Sequence, residues 1–589
     1  MIQRLRSIIC KNKVLCEGIV GFLISVALWL MFGIIRSKEF LLAGLLMAFV
    51  YVVLHFGLKY ANSRRMKFAL ILAIPFSFCF ELGQLVTYGE SEIRTIGFFE
   101  IYIFIMLSML FAFVNICVMH FVDKYRVLGK QNIEMKSNRY AWLRYSLVIF
   151  MCWLVMFLIF FPGFISVDSA VQIAQTVGER GLSNWHPVLH TLFLSLFINV
   201  GVGIFHNLTV GIAMYTIVQM AIVAAIYGYV VDWVIRRSGK KWIGYILLAF
   251  FAINHVIICY SITMWKDILF SSVFLLLILK VYDFIKDYKR GDRVNNKRLW
   301  LIILLSVLVA FLRNGGVLII IALGLSLLIY YKIDRGKILF SFIGAVVFIL
   351  VVQGPIYKMF GITGSPFMES MSVPAQQIGY VASMNELTED EKTKLSSYVD
   401  LDKIAVEYSP MNGDYAKNCF DYDIMDENKL DFLLTWFSMV PRHFSSFVKA
   451  YVLHTYAYWY IQGNDWTLSI GHEHDHSWLK AEYKDIALLG NNARVFITKA
   501  GSLLTTTVFS GWMNTVGMLC WGIVYVFILF IYQRRYNMLV VMACILIYIL
   551  SLLVASPISL IFRYVYALLL VLPVLAILLF CNNKIERRK

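Results

Sequence analysis

Apolar runs of membrane-spanning length recur from one end of the 589-residue chain to the other, separated mostly by short basic or polar connections. Crossing a hydrocarbon core takes ~20 predominantly apolar residues in a helix. Segments of this kind are predicted at 17–35, 40–58, 67–86, 97–121, 145–163, 209–234, 242–260, 268–285, 299–312, 316–331, 338–354, 512–532, 537–555 and 563–580. The pattern therefore predicts an all-α polytopic membrane protein with about 14 transmembrane helices. It divides the chain into an N-terminal four-span region (1–144), a transmembrane core (145–355) with a first outer loop at 164–208, an outer domain (356–511) and a C-terminal three-span region (512–589).

Charge orients this arrangement. The formal net charge is +17, but 33 of the 53 Lys and Arg residues sit in the N-terminal tail, in short clusters between spans and in the C-terminal tail. If the clusters share one side, that side is the cytoplasm and both termini lie there. This distribution points to topology and away from nucleic acid. The apolar segment 188–205 would reverse every later cluster if it crossed, so it is expected to be a re-entrant or interfacial helix on the outer face. The basic start followed by an apolar run lacks a small-residue cleavage site and reads as a retained first span.

Only the outer segment 356–500 is long enough to fold by itself, and it holds 19 of the 36 acidic residues against 12 basic ones. Its composition is that of a solvated domain of mixed secondary structure. Within it, 386–402 resembles a charged surface helix, SVPAQQIGYV (372–381) a substrate rim, and 432–461 an aromatic amphipathic stretch broken at Pro441-Arg442 and lying on the interface or over a cavity mouth. The ten cysteines are scattered, and no CxxC pair, Walker loop, GxGxxG or HExxH occurs. ATP-driven transport, dinucleotide cofactors and zinc-peptidase chemistry thus lack sequence support.

Candidate chemistry collects near the predicted outer boundary. The span ending at Pro162-Gly163 delivers Asp168 just beyond the hydrocarbon, and His186-Pro187 opens the apolar helix that carries His190. Ionisable groups so near lipid are functional candidates by default. SITMWKDILFSS places Lys266 and Asp267 at the start of a span, a short hairpin turns at Arg313-Asn314-Gly315-Gly316, and SPISLIFRYVY presents Arg563. Structural alternatives exist for each: Asp168 as a helix cap, His186-Pro187 as a helix entrance, Lys266 and Asp267 as a surface pair, Arg563 as an interfacial anchor. In GHEHDHSW, His472, His474 and His476 would share one side of an extended strand and so could bind a divalent metal, although a solvated loop is the better reading because zinc usually gathers ligands from more than one segment. No other metal ligand is assigned.

Cations and carboxylates at one interfacial depth suit a polyprenyl-phosphate sugar, whose anionic head stays at the interface while its tail occupies the bilayer. A first-loop carboxylate, a His-Pro dipeptide opening a juxtamembrane helix, and later spans bearing a second acid and basic residues resemble the GT-C superfamily of polyprenyl-phosphate-sugar glycosyltransferases. SVPAQQIGYV, WKDILFS, NWHPVLHTLF and FRYVY more closely resemble an uncharacterised family of multi-spanning Firmicutes proteins, over roughly 153 to the end. The superfamily resemblance implies a GT-C-like core with Asp168 as general base and Asp267 in the place of a second acid. This sequence departs from that pattern in having one acid at Asp168 and His-Pro-Val after Trp185.

The expected function is transfer of a sugar from a polyprenyl-phosphate donor to a cell-envelope glycopolymer, lipid or protein, outside the plasma membrane of a bacterium. Asp168 is the expected catalytic residue; His186, His190, Lys266, Asp267, Arg313 and Arg563 are the expected substrate-binding residues. A flippase of lipid-linked saccharides or a non-catalytic envelope assembly factor are the alternatives.

Overall fold

Each predicted apolar segment coincides with a helix or a bent helix pair. The computed structural model describes residues 13–32, 40–86, 91–126, 140–286, 293–461, 483–506 and 515–581. Among these residues there is no strand, and nine helices are long and apolar enough to cross a membrane, or ten if the bent pair Lys241–Ile253 and His255–Ser261 is one span. The chain is thus an all-helical, multi-pass membrane protein. The pair bends by 56° because Asn254 interrupts it, its side chain accepting from the amides of Val256 and Ile257 to start a new helix.

Two compact units organise the chain. The smaller combines residues 1–128 with 524–534 and 579–589. Its helices Lys13–Met31, Phe40–Tyr60, Ser63–Leu85 and Phe98–Lys124 pack around small residues, with Ala69, Ala73, Ala112 and Ile116 forming a buried cluster. At one end Arg65 pairs with Asp123 at 2.9 Å, and the Tyr532 hydroxyl donates to the same carboxylate. The expected C-terminal region 512–589 is accordingly shared between the units, and the N-terminal boundary falls at 128.

The larger unit holds residues 129–523 and 535–578. Helix Leu208–Ser238 is its long central element, packing against Ala141–Ile159 and Val188–Gly203. The last contact is backbone to backbone, since a Cβ on Gly201 would lie 2.4 Å from the Gly211 nitrogen. Val188–Gly203 and Leu208–Ser238 therefore form a tight hairpin. Beside it, Lys266–Lys286 packs on Asn296–Leu312, and Gly316–Tyr330 packs on Met538–Ala555.

Segment 356–500 is helical among its described residues, not mixed. Short capped helices build it: Thr388 forms a reciprocal capping box with Glu391, and Asp400, Asn412 and Asp421 cap the helices that follow them. They surround one apolar cluster that includes Ile378, Val381, Ile404, Met425 and Phe432. The stretch 372–381 is not a rim: it belongs to the buried helix Ser372–Ser383, where Gln376 donates to the Ser409 carbonyl at 2.8 Å and Gln377 to that of Phe447 at 3.2 Å. The expected break at Pro441-Arg442 is present: Lys429–His454 is two helical stretches joined at a kink at His443 (φ −103°, ψ 23°), two residues after the proline. The loop 471–478 with its three histidines lies outside the described residues.

One break positions everything that follows. After the Ala141–Ile159 helix, Gly163 adopts φ +114°, and the chain then pairs with 262–264: the Phe164 amide donates to the Ile262 carbonyl at 2.8 Å and the Met264 amide to that of Phe164 at 2.9 Å. A Cβ at Gly163 would sit 2.7 Å from the Ile262 oxygen, so both the dihedral and the close approach require glycine. Gly163→Ala should cost about 1–3 kcal/mol. Thermal unfolding of detergent-purified protein should show a lowered midpoint for this variant and none for Gly181→Ala, whose Cβ would meet open space. Equal midpoints for both would remove the constraint.

Candidate functional site

The backbone pairing of Phe164 with Thr263 sets two helix starts side by side. Ser166 caps the helix Val167–Thr176, its hydroxyl accepting from the Ser169 amide while the Ser169 side chain accepts from the Ser166 amide. The cap is therefore Ser166, which frees the Asp168 side chain from that role. On the other strand of the pairing, Trp265 leads into Lys266, the first residue of Lys266–Lys286.

Asp168 and Lys266 meet. One carboxylate oxygen, Oδ2, accepts from Arg563 Nη1 at 2.9 Å and lies 3.3 Å from Lys266 Nζ and 3.8 Å from His186 Nδ1. The Asp168 side chain is 17% exposed, so this is a largely desolvated ion cluster drawn from four distant stretches of sequence. Burial alone would raise the carboxyl, but Arg563, Lys266 and His186 outweigh it and hold the group well below the usual carboxylate range. Asp168 is ionised at any physiological pH.

His186 plays a different part. Lys266 Nζ donates to its Nδ1 at 3.1 Å, which makes that nitrogen an acceptor and the ring neutral. Burial first, and then the positive charge of Lys266, push the imidazole down to about 4 against the opposing effect of Asp168. The ring lies nearly parallel to exposed Trp185 (centroids 6.3 Å, 17°), and Asn314 donates to the carbonyls of Asn184 and Trp185 at 3.1 Å, tying the Arg313 turn to this loop.

A second pair adjoins the first. Arg313 Nη1 donates to Asp267 Oδ1 at 2.8 Å, and Asp267 Oδ2 is buried without a hydrogen-bond partner among the described residues. Both guanidinium groups rest on aromatic rings. Arg313 lies 5.2 Å from the Phe270 centroid, 5.1 Å from Tyr548 and 5.8 Å from Tyr564; Arg563 lies 5.2 Å from Trp265 and 5.3 Å from Tyr564. Such seating holds a cation in a dry environment without neutralising it. With His186 neutral, Asp168, Asp267, Lys266, Arg313 and Arg563 sum to one net positive charge.

Of the predicted site residues, His190 alone stands apart. It is fully buried, with Nδ1 3.0 Å from Gln172 Oε1 and Nε2 2.7 Å from the Tyr215 hydroxyl; Tyr215 in turn donates to Gln219, whose amide donates to the Ser261 and Thr263 carbonyls. Both ring nitrogens are engaged, leaving no atom for a ligand, and the network instead braces the 261–263 backbone that leads to Lys266. The aromatic seats Trp265, Phe270, Tyr548 and Tyr564 were not singled out from sequence, although Tyr564 stands next to Arg563, a cation it supports. Among the described residues no group of three or more His, Cys, Asp and Glu is placed to hold a metal.

The 356–500 segment is fixed to this site through the turn that precedes Arg563. The Gly413 amide donates to the Pro557 carbonyl at 2.7 Å, and His454 Nε2 donates to that of Ser556 at 2.9 Å.

A family profile, described as a family of unknown function (DUF6020), matches residues 178–589. That is 412 of the 589 positions, and the chain belongs to this family. The match contains His186, Lys266, Asp267, Arg313 and Arg563 and begins ten residues after Asp168. No curated protein and no solved structure matches the chain.

The depressed His186 value has a stability consequence. A proton binds this imidazole in the unfolded chain near 6.5 but in the folded one only near 4, so the contribution of the neutral ring is complete above 6.5 and is lost as pH falls towards 4. The melting midpoint should fall across that window, and His186→Gln, which keeps an acceptor for Lys266 but cannot titrate, should flatten the fall. Superimposable pH profiles would show that Lys266 does not govern the ring.

Proposed function

We propose that this DUF6020 member is a membrane glycosyltransferase of the GT-C type, transferring a sugar from a polyprenyl-phosphate-linked donor to an acceptor of the cell envelope, a glycopolymer, lipid or protein. The observation that carries the reading is the Asp168 cluster: an ionised carboxylate, two cations and a neutral imidazole gathered from separate segments at the boundary of the apolar helices. The proposal includes about 14 crossings, a bacterial plasma membrane, both termini in the cytoplasm and the Asp168 site outside.

In the transfer step Asp168 takes the proton from an acceptor hydroxyl as its oxygen attacks the anomeric carbon. The bond from that carbon to the phosphate oxygen breaks, and the electron pair leaves with the polyprenyl phosphate; attack from the opposite face inverts the anomeric centre. Arg563 and Lys266 stabilise the charge that grows on the departing phosphate. Without donor, those cations sit on Asp168 and suppress its basicity. A donor phosphate competes for the same cations, and both its charge and their departure raise the proton affinity of the carboxylate. The base thus becomes effective only when a donor is in place. Arg313, seated on aromatic rings and paired with buried Asp267, supplies a further fixed positive charge. His186 orients the Lys266 ammonium.

Asp168→Asn keeps the size of the side chain and removes its basicity, so sugar transfer in a reconstituted assay should fall by about 10²-fold or more. Donor binding and monodisperse elution should persist; near-normal turnover would leave Asp168 a charge-balancing role only.

Arg563→Gln and Arg313→Gln should each weaken donor binding by roughly 1.5–3 kcal/mol, the value of a charged hydrogen bond. Arg313→Lys should restore only part, because an ammonium lacks the paired donors of a guanidinium. Titrating a polyprenyl-phosphate sugar into nanodisc-embedded protein measures this, and unchanged affinity in both Gln variants would place the phosphate elsewhere.

A further inference from the structure

The kinked element Lys429–His454 has two apolar sides, and its own domain uses one. Phe432, Met439 and Phe447 enter the apolar cluster of the 356–500 segment, Trp436 Nε1 donates to Gln377 at 2.9 Å, and His443 Nε2 lies 3.1 Å from Glu391 Oε2. On the other side Leu430, Leu434, Phe437, Phe444 and Val448 are 70, 60, 58, 64 and 44% exposed. Their spacings of four, three, seven and four residues put them on one face. The stripe runs about 27 Å at 1.5 Å per residue. Single exposed apolar side chains need no explanation, but five in a row along one face mark a contact surface.

The C-terminal end of this element is seated where apolar helices of the bundle begin and end. His454 donates to the Ser556 carbonyl directly after Met538–Ala555, a helix long and apolar enough to cross a membrane. The chain then passes the start of the apolar helix Val516–Tyr532: Trp521 Nε1 donates to the Trp459 carbonyl at 2.8 Å, and a Cβ on Gly517 would lie 2.1 Å from the Tyr460 oxygen. The stripe therefore starts at the level where these helices leave the hydrocarbon. Lys429–His454 is itself not among the helices apolar enough to cross.

Charge selects the occupant. Within a segment where acids outnumber bases, Lys429–His454 carries Lys429, Arg442 and Lys449 against Asp431 alone. Arg442 and Lys449 are exposed and two turns apart, along one edge of the stripe. A bilayer surface takes both features together, the apolar side chains at the acyl boundary and the cations at the phosphates. A second copy of the same face would instead bring basic edges together, at a cost in repulsion.

We propose that Lys429–His454 docks on an anionic lipid leaflet, with the Leu430–Val448 stripe immersed between headgroups and acyl chains and Arg442 and Lys449 on lipid phosphates. Because the 356–500 segment also holds the turn before Arg563, this contact fixes the height of that turn relative to the bilayer. The inference requires a multi-pass membrane protein and is independent of the transferase reading.

The test uses the full chain in nanodiscs of mixed phosphatidylglycerol and phosphatidylcholine. A keto-bearing phenylalanine analogue introduced at Phe437, Phe444 or Glu389 carries a nitroxide, so the native cysteines stay untouched. Glu389, whose side chain is 89% exposed on a charged helix, is the water-facing control. Power saturation compares collisions with oxygen, which concentrates among acyl chains, and with a water-soluble nickel chelate. Oxygen should dominate at Phe437 and Phe444 and nickel at Glu389, and combining Arg442→Gln with Lys449→Gln should shift Phe444 towards nickel. Nickel-dominated relaxation at both stripe positions would put the face in water. Inaccessibility to both agents would put it under protein, with dipolar broadening between labelled chains identifying a second copy. Either result would overturn the docking, and an unmoved Phe444 signal in the double variant would remove the cations from it.

Discussion

A carboxylate held largely out of water must be matched by positive charge, and the packing around Asp168 follows from that requirement. Leaving a buried ion unpaired costs several kcal/mol, whereas pairing it returns much of the desolvation energy when the geometry is good. Arg563, Lys266 and the neutral His186 supply the match, and each arrives on a different element. The His190, Tyr215 and Gln219 network then holds the backbone leading to Lys266, Asn314 holds the His186 loop, and the 356–500 segment holds the turn before Arg563. Remove the carboxylate and the reason for each of these arrangements weakens.

Much of this was legible in the sequence, for a physical reason. Charges are expensive near lipid, so Asp168, Lys266, Asp267, Arg313 and Arg563 stood out against apolar surroundings, and five of them do converge. Hydropathy gives depth along the membrane normal but not the azimuth around a helix. It could not say that Arg563 faces Asp168 while Arg313 faces Asp267. His190 was misjudged for the same reason: its partners Gln172 and Tyr215 lie on other helices, and only packing reveals that both ring nitrogens are satisfied.

Local competition explains other differences. SVDS offers two capping side chains, and Ser166 prevails because it can exchange hydrogen bonds with Ser169, leaving Asp168 to the ion cluster. In the outer segment, polar composition suggested mixed structure, whereas regularly placed Thr, Asp and Asn caps favour short helices over strands. The break expected at Pro441-Arg442 takes the form of a kink at His443, with Met439 and Phe447 on either side packed into the domain core.

The pairing of Phe164 with Thr263 acts as a ruler. Asp168 lies four positions after Phe164 and Lys266 three positions after Thr263, so the distance between base and cation is set by chain length on both sides of two hydrogen bonds. Side chains along these arms can change with little effect on that distance, but inserting or deleting one residue rotates the following helix by about 100° and turns its charge away from the partner. The site therefore requires the spacing of these two short arms as well as the identity of the residues they carry.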